Sequence, residues 1–285
     1  MTFSIAAVDP ETGDTGVAVA SKFLAVGGLV PWLEAGVGAI ATQALCNATF
    51  GPDGLKLLGA MDAKAVMDRL IAADSGRDRR QVGIVDAQGH AASHTGTGCQ
   101  GWAGHRIGAG YAAQGNCLAG EDVVAAMASA FETTAGPLYA RLFAAIAAGD
   151  AVGGDARGRQ SVAIKVLRKG AGYQGLSDTV MDLRVDDAPD PLTELQRLMG
   201  LHQLYFFTGD CARLALDGGV LDALRSILKK CGQADDFGPG WSVELGQAID
   251  AFIGRENLEE RFDLKSRTID RLALDHLIGL YPAED

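Results

Sequence analysis

Apolar positions along this chain change period several times, and those changes predict its elements. Thr2–Val8 is a short apolar run, then Asp9-Pro10-Glu11-Thr12-Gly13-Asp14 reads as a turn. Gly16–Ser21 follows as a second strand, completing a hairpin. Val37–Gln43 is a third, built of small residues that suit a sheet covered on both faces. The period then shifts to a helix, with Asp62 as N-cap, Val66, Leu70 and Ala73 on one face, and Gly76 as the stop. Strands are predicted at Gln81–Val85 and His90–His94 around the turn Asp86-Ala87-Gln88-Gly89, and another at Tyr111–Gln114.

Two helices come next. One carries Val123, Met127 and Phe131 on a face; the other opens at Pro137, carries Leu138, Leu142 and Ile146, and closes at Gly149. Ser161–Leu167 and Thr179–Val185 are strands again, followed by a helix from Pro191. Strand and helix runs in blocks, rather than strict alternation, predict a layered α+β domain over residues 1–208. Past a boundary at Thr208-Gly209-Asp210 the pattern is wholly helical, and residues 209–285 are expected to form a small all-α unit. Its faces are Val220, Leu224, Ile227 and Leu228, then Val243, Ile249 and Phe252, then Ile269, Leu272 and Leu277.

The chain has 285 residues, enough for one large core with an appendage. Its net charge of −11 disfavours binding to nucleic acid phosphates or anionic membrane surfaces. Its apolar runs fall short of the roughly 20 residues a membrane span needs, and no basic-then-apolar leader opens the chain, so the cytoplasm is the expected location. Five cysteines with no Cys-x-x-Cys pair read as reduced thiols. His90, His94 and His105 match no common zinc spacing, so neither a metal nor a cofactor is expected.

The candidate chemistry begins at Thr2. A residue this small after Met1 allows removal of the initiator methionine, which leaves a hydroxyl nucleophile and an α-amine base on one residue. Lys22, after Ser21 at the end of the neighbouring strand, is placed to neutralise developing negative charge. The loop from Gln43 to Asn47, and Asn116 after the Tyr111–Gln114 strand, offer amides for an oxyanion. Gly153-Gly154-Asp155-Ala156-Arg157-Gly158-Arg159-Gln160-Ser161 gathers Asp155, Arg157, Gln160 and Ser161 in a glycine frame, with substrate binding and a turn-shaping ion pair as its two readings.

Thr2–Ala6, Gly16–Lys22, Gly36–Gln43 and Gly153–Ser161, with Arg80–Gly83, Gln114–Asn116 and Asp182–Asp187, together resemble a prokaryotic family of unknown function assigned to the N-terminal nucleophile hydrolases. That resemblance spans about two hundred residues. It implies a four-layer αββα sandwich with the nucleophile opening a central strand, and it supplies no substrate. The tail around Arg255–Arg261 resembles a small helical peptidoglycan-binding module. The resulting expectation is an amidohydrolase for a small peptide-like or cell-wall-derived amide, in a chain compatible with a homo-oligomer. The alternative is a ligand-binding protein that keeps the fold without catalysis.

Overall fold

The computed structural model describes residues 2–206, 211–233, 237–238 and 240–282. The chain divides into two compact units, Met1–Leu198 and Met199–Asp285. The expected boundary at Thr208–Asp210 lies outside the described residues.

In the first unit the elements run β1 (Thr2–Asp9), β2 (Asp14–Ser21), β3 (Pro31–Glu34), β4 (Gly38–Ala44), α1 (Phe50–Leu58), α2 (Ala63–Ala73), β5 (Arg80–Asp86), β6 (Ala91–Thr95), β7 (Trp102–Gly108), β8 (Tyr111–Leu118), α3 (Asp122–Thr133), α4 (Leu138–Ala151), β9 (Ser161–Leu167) and β10 (Thr179–Val185). A helix, α5 (Pro191–Phe206), spans the division between the units. The strands form a six-stranded sheet, β10-β9-β2-β1-β8-β7, and a four-stranded sheet, β3-β4-β5-β6. Both are antiparallel throughout, the α+β arrangement that blocks of strands and helices predict.

Small residues let the two sheets meet closely. Ala6, Val8, Val17 and Ala112 of one sheet share a buried cluster with Ala39, Ala41 and Val85 of the other. On the far side of the four-stranded sheet, Ile40, Val82 and Ile84 pack with Phe50 and Leu58 of α1 and with Val66, Met67 and Leu70 of α2. On the far side of the six-stranded sheet, α4 lies so close that a Cβ at Gly16 would clash with the Leu142 side chain. Asp62 caps α2 by accepting the Ala65 N–H at 2.8 Å, as its position before the apolar stripe predicts.

Two strands and a helix go beyond the pattern reading. β3 is four residues long, β7 alternates weakly, and α1 contains Gly51, Pro52 and Gly54, which lower helix propensity. Packing overrides propensity in α1: Gly51 sits under the Trp32 ring, where no side chain fits.

The second unit holds α6 (Gly218–Lys230), α7 (Val243–Arg255) and α8 (Arg271–Leu280). It also holds short strands β11 (Arg213–Ala215), β12 (Phe262–Asp263) and β13 (Thr268–Asp270), paired antiparallel in the order β11-β13-β12. The all-α expectation is therefore corrected to helices plus a three-stranded sheet, whose strands of two and three residues are too short to show a period of two. Leu224, Ile227, Leu228, Ile249, Phe252, Ile269 and Leu277 are in its core as expected. Val243 and Leu272 are exposed, and Leu245 and Leu274 take the buried positions.

Candidate functional site

Thr2 opens β1, an interior strand of the six-stranded sheet, and its position is fixed from three sides. The register places it opposite Asn116 of β8, and one step beyond the Phe3–Ala20 pair of β2. Its Oγ1 lies 3.1 Å from Ser21 Oγ. Its carbonyl accepts from Gln43 Nε2 at 3.1 Å, across the inter-sheet space, and from Asn116 Nδ2 at 3.4 Å. Thr2 itself is only 5% exposed.

These contacts belong to a larger buried system. Gln81 Oε1 accepts from Gln43 Nε2 at 2.9 Å and from Asn116 Nδ2 at 2.8 Å. Gln81 Nε2 donates to Gly115 O at 2.8 Å, Thr95 Oγ1 at 3.0 Å and Gly104 O at 3.2 Å. Ser4 Oγ donates to Gln43 Oε1 at 2.7 Å and accepts from Gln114 Nε2 at 2.7 Å. Four amides and two hydroxyl residues thus join both sheets in a region with almost no solvent, where each hydrogen bond is strong and each unmet one costly. The amides of Gln43 and Asn116 are engaged in holding the Thr2 backbone. They are positioning groups here, and their N–H bonds are not open to a ligand oxygen.

Gln81→Met is expected to destabilise the first unit by about 3 kcal/mol or more. It takes one partner each from Gln43 Nε2, Asn116 Nδ2, Gly104 O, Gly115 O and Thr95 Oγ1, and each group left unmet costs about 1–3 kcal/mol. Urea denaturation of the variant beside the native chain measures the loss, and a difference under about 1 kcal/mol would remove the network from the account.

The glycine-framed segment reaches the same end of the sheets through Asp155. This buried carboxylate accepts from the Lys22 backbone N–H at 2.9 Å, and from Arg157 through N at 3.0 Å, Nε at 3.0 Å and Nη2 at 2.7 Å. Asp155 and Arg157 are therefore a local ion pair that shapes the turn and ties it to the end of β2. Gly153 and Gly154 have φ of 113° and 46°, and added Cβ atoms would stand 2.7 Å from Ala119 and 3.2 Å from Phe3. Ser161 pairs in register with Ser21. Its Oγ donates to Phe23 O at 2.5 Å and accepts from Val26 N at 3.2 Å, which pins the loop after Lys22.

The remaining expected residues divide by position. Lys22 Nζ is exposed and donates to Arg159 O at 3.1 Å. Gln160 Nε2 donates to Asp187 Oδ1 at 3.0 Å in an exposed contact. Asn47 donates to Asp74 Oδ2 at 3.2 Å and accepts from Thr49 N at 3.1 Å, so it braces the start of α1. Asp74 is held down to about pKa 2, chiefly by the Arg80 guanidinium, and stays ionised to brace that loop. Cys46 lies in the same loop; burial pushes its thiol up, which disfavours the reactive thiolate. The three histidines have separate partners: His90 meets Asp86, His94 meets Arg77 O, and His105 meets Thr95 Oγ1. Ser4, Gln81 and Gln114 lie in the sequence blocks that carry the family resemblance but are not among the expected site residues; the structure makes them part of the network around Thr2.

Residues 2–195 match the family of unknown function DUF1028. The chain belongs to the DUF1028 family. The crystal structure of protein SPO2555 from Silicibacter pomeroyi, also assigned to DUF1028, is 32% identical, with a TM-score of 0.65 over 71% of this chain and 89% of that one. Residues 205–277 match a second description, "Putative peptidoglycan binding domain". Among curated proteins none matches. No described helix of this DUF1028 chain is long and apolar enough to cross a membrane.

Proposed function

We propose that the protein is an N-terminal nucleophile amidohydrolase acting on a small peptide-like or cell-wall-derived amide. The observation that carries this reading is the treatment of Thr2. The residue directly after Met1 opens an interior strand, with its carbonyl held by two buried amides and its hydroxyl against Ser21. Such precision at a chain start suits a group that must meet a reacting carbon in one geometry. Sheets packed face to face, with helices on their outer sides, support the four-layer αββα sandwich that this chemistry uses.

Removal of Met1 frees the Thr2 amine. That amine takes the proton from Oγ1 as the oxygen attacks the substrate carbonyl, then passes it to the departing nitrogen. The product amine leaves, and an ester joins the acyl group to Thr2. Water, deprotonated by the same amine, then cleaves the ester to the free acid and restores the hydroxyl. Ser21 orients Thr2 Oγ1, Lys22 favours the negative charge that develops, and Gln43 and Asn116 keep the Thr2 backbone still. Asp155, Arg157 and Ser161 hold the strand end and loop that carry Ser21 and Lys22.

The C-terminal match supports a cell-wall-derived ligand for the second unit. A fragment taken up for recycling reconciles that ligand with a cytoplasmic enzyme. The rival reading is a binding protein without catalysis; the engaged amides of Gln43 and Asn116 favour it, because an oxyanion needs open donors. Incubation with soluble muropeptides and dipeptides, followed by mass spectrometry of the products, separates the two. New free amine and acid supports hydrolysis, and unchanged ligand with measurable binding supports the rival.

A further inference from the structure

We infer that the Thr2 site, on the nucleophile reading above, takes amides bearing both an apolar group and a carboxylate. The side chains leaving the strand ends at Thr2 set this preference. After Ser21, β2 runs out into Lys22, Phe23 and Leu24; after Gln43, β4 runs out into Leu45. Phe23, Leu24 and Leu45 are 53%, 59% and 52% exposed. Val152, beside the glycine frame that holds Lys22, is exposed as well. Large apolar side chains exposed within three residues of Ser21 and Gln43, the two residues that meet Thr2, mark a strand-end surface suited to an apolar partner.

Their exposure is built into the backbone. The Phe23 carbonyl is held by Ser161 Oγ, and Ala25 N donates to Asp186 O at 2.9 Å. Leu45 N donates to Arg79 O at 3.1 Å, and Leu45 O accepts from Arg80 Nη1. Ala25 and Ala44 keep φ of 52° and 68°, a conformation that non-glycine residues rarely adopt. Both loops thus hold their apolar residues outward against a local cost.

Charge supplies the second half of the preference. Arg157 is neutralised by Asp155 and Arg159 by Asp150. Lys22, the residue after the Ser21 that meets Thr2, donates from Nζ to Arg159 O and forms no ion pair among the described residues, which leaves an uncompensated cation at this strand end in a chain of net charge −11. A ligand carboxylate is the group that answers it.

Isothermal titration of the Thr2→Ala variant tests this without relying on turnover, using N-octanoylglycine, N-acetylglycine and N-octanoylglycinamide as probes. N-octanoylglycine should bind at least about tenfold more tightly than either of the others, since each buried methylene is worth roughly 0.8 kcal/mol. Lys22→Gln should abolish the advantage over the glycinamide, and Phe23→Ser with Leu45→Ser the advantage over the acetyl compound. Equal affinities, no binding, or a preference untouched by these variants would overturn the inference. So would concentration-dependent dimerisation in light scattering that Phe23→Ser and Leu45→Ser abolish, because the patch would then belong to a second copy of the chain. Hydrolysis can fail in the native enzyme while this binding preference holds, and the reverse, so the two readings fall separately.

Discussion

Thr2→Ala should reduce amide hydrolysis by at least about four orders of magnitude while leaving the fold intact. The substitution removes the attacking oxygen and retains the α-amine, since alanine at position 2 also permits removal of Met1. Its structural cost is one hydrogen bond, Oγ1 to Ser21 Oγ, worth about 1 kcal/mol. The side-chain amides of Gln43 and Asn116 clamp Thr2 through its backbone carbonyl, so this clamp survives the change. Thr2→Ser keeps a hydroxyl and should retain a measurable part of the rate. Initial rates on a dipeptide or muropeptide substrate, with thermal unfolding in parallel, read both effects. Undiminished turnover by the alanine variant would mean that another group performs the chemistry.

Arg261→Met should cost the second unit about 3–5 kcal/mol, enough to unfold most of it. Arg261 is 1% exposed, among the most buried large side chains of the chain. Its Nε donates to Leu204 O at 2.7 Å, Nη1 to Asp270 Oδ2 at 2.9 Å, and Nη2 to Gln203 O at 2.5 Å. It therefore ties the end of α5 to β13 through the middle of the unit. Removing it leaves two carbonyls short of a donor, and Asp270, 4% exposed at its side chain, keeps among the described residues only the partly exposed Arg213 as an ionic partner. Pairing the change with Asp270→Leu removes the stranded carboxylate and should recover much of the loss, because a buried ion pair costs most when half of it remains. Hydrogen exchange in peptides from α6, α7 and α8 gives the readout. Protection equal to the native chain would show Arg261 to be dispensable.

The two residues also show what a sequence makes legible. Arg261 is one arginine in a polar stretch, Arg255-Glu256-Asn257-Leu258-Glu259-Glu260-Arg261, and nothing local marks it as buried. Its partners lie 57 and 9 residues away, at Leu204 and Asp270, so only the tertiary fold identifies it. Thr2 draws notice from its position after Met1, and the structure shows its carbonyl held by Gln43 and Asn116. The strands β9 and β10 are legible end to end, since their apolar runs are bounded by glycine and polar turns.

The amide network was half legible. Gln43 and Asn116 stand at strand ends next to loops and so attract notice as ligands; the structure gives them to Thr2 and Gln81 instead. Ser4, Gln81 and Gln114 share strand parity with Ala6, Val85 and Ala112, small residues that face the opposite sheet. A polar residue at such a position must find a partner across the sheets, and that parity is the signal that could have found all three. The glycine-framed segment was ambiguous between ligand binding and turn formation. Asp155 resolves toward the turn because its carboxylate is filled by Lys22 N and three Arg157 donors.

Covalent trapping tests the central claim most directly. The protein, expressed without an N-terminal tag, would be treated with a β-lactone that acylates threonine hydroxyls, digested, and its N-terminal peptide sequenced by mass spectrometry. The account predicts a peptide that begins at Thr2, lacks Met1 and carries one acyl group on Thr2 Oγ1. A peptide that retains Met1 and carries no adduct would contradict it.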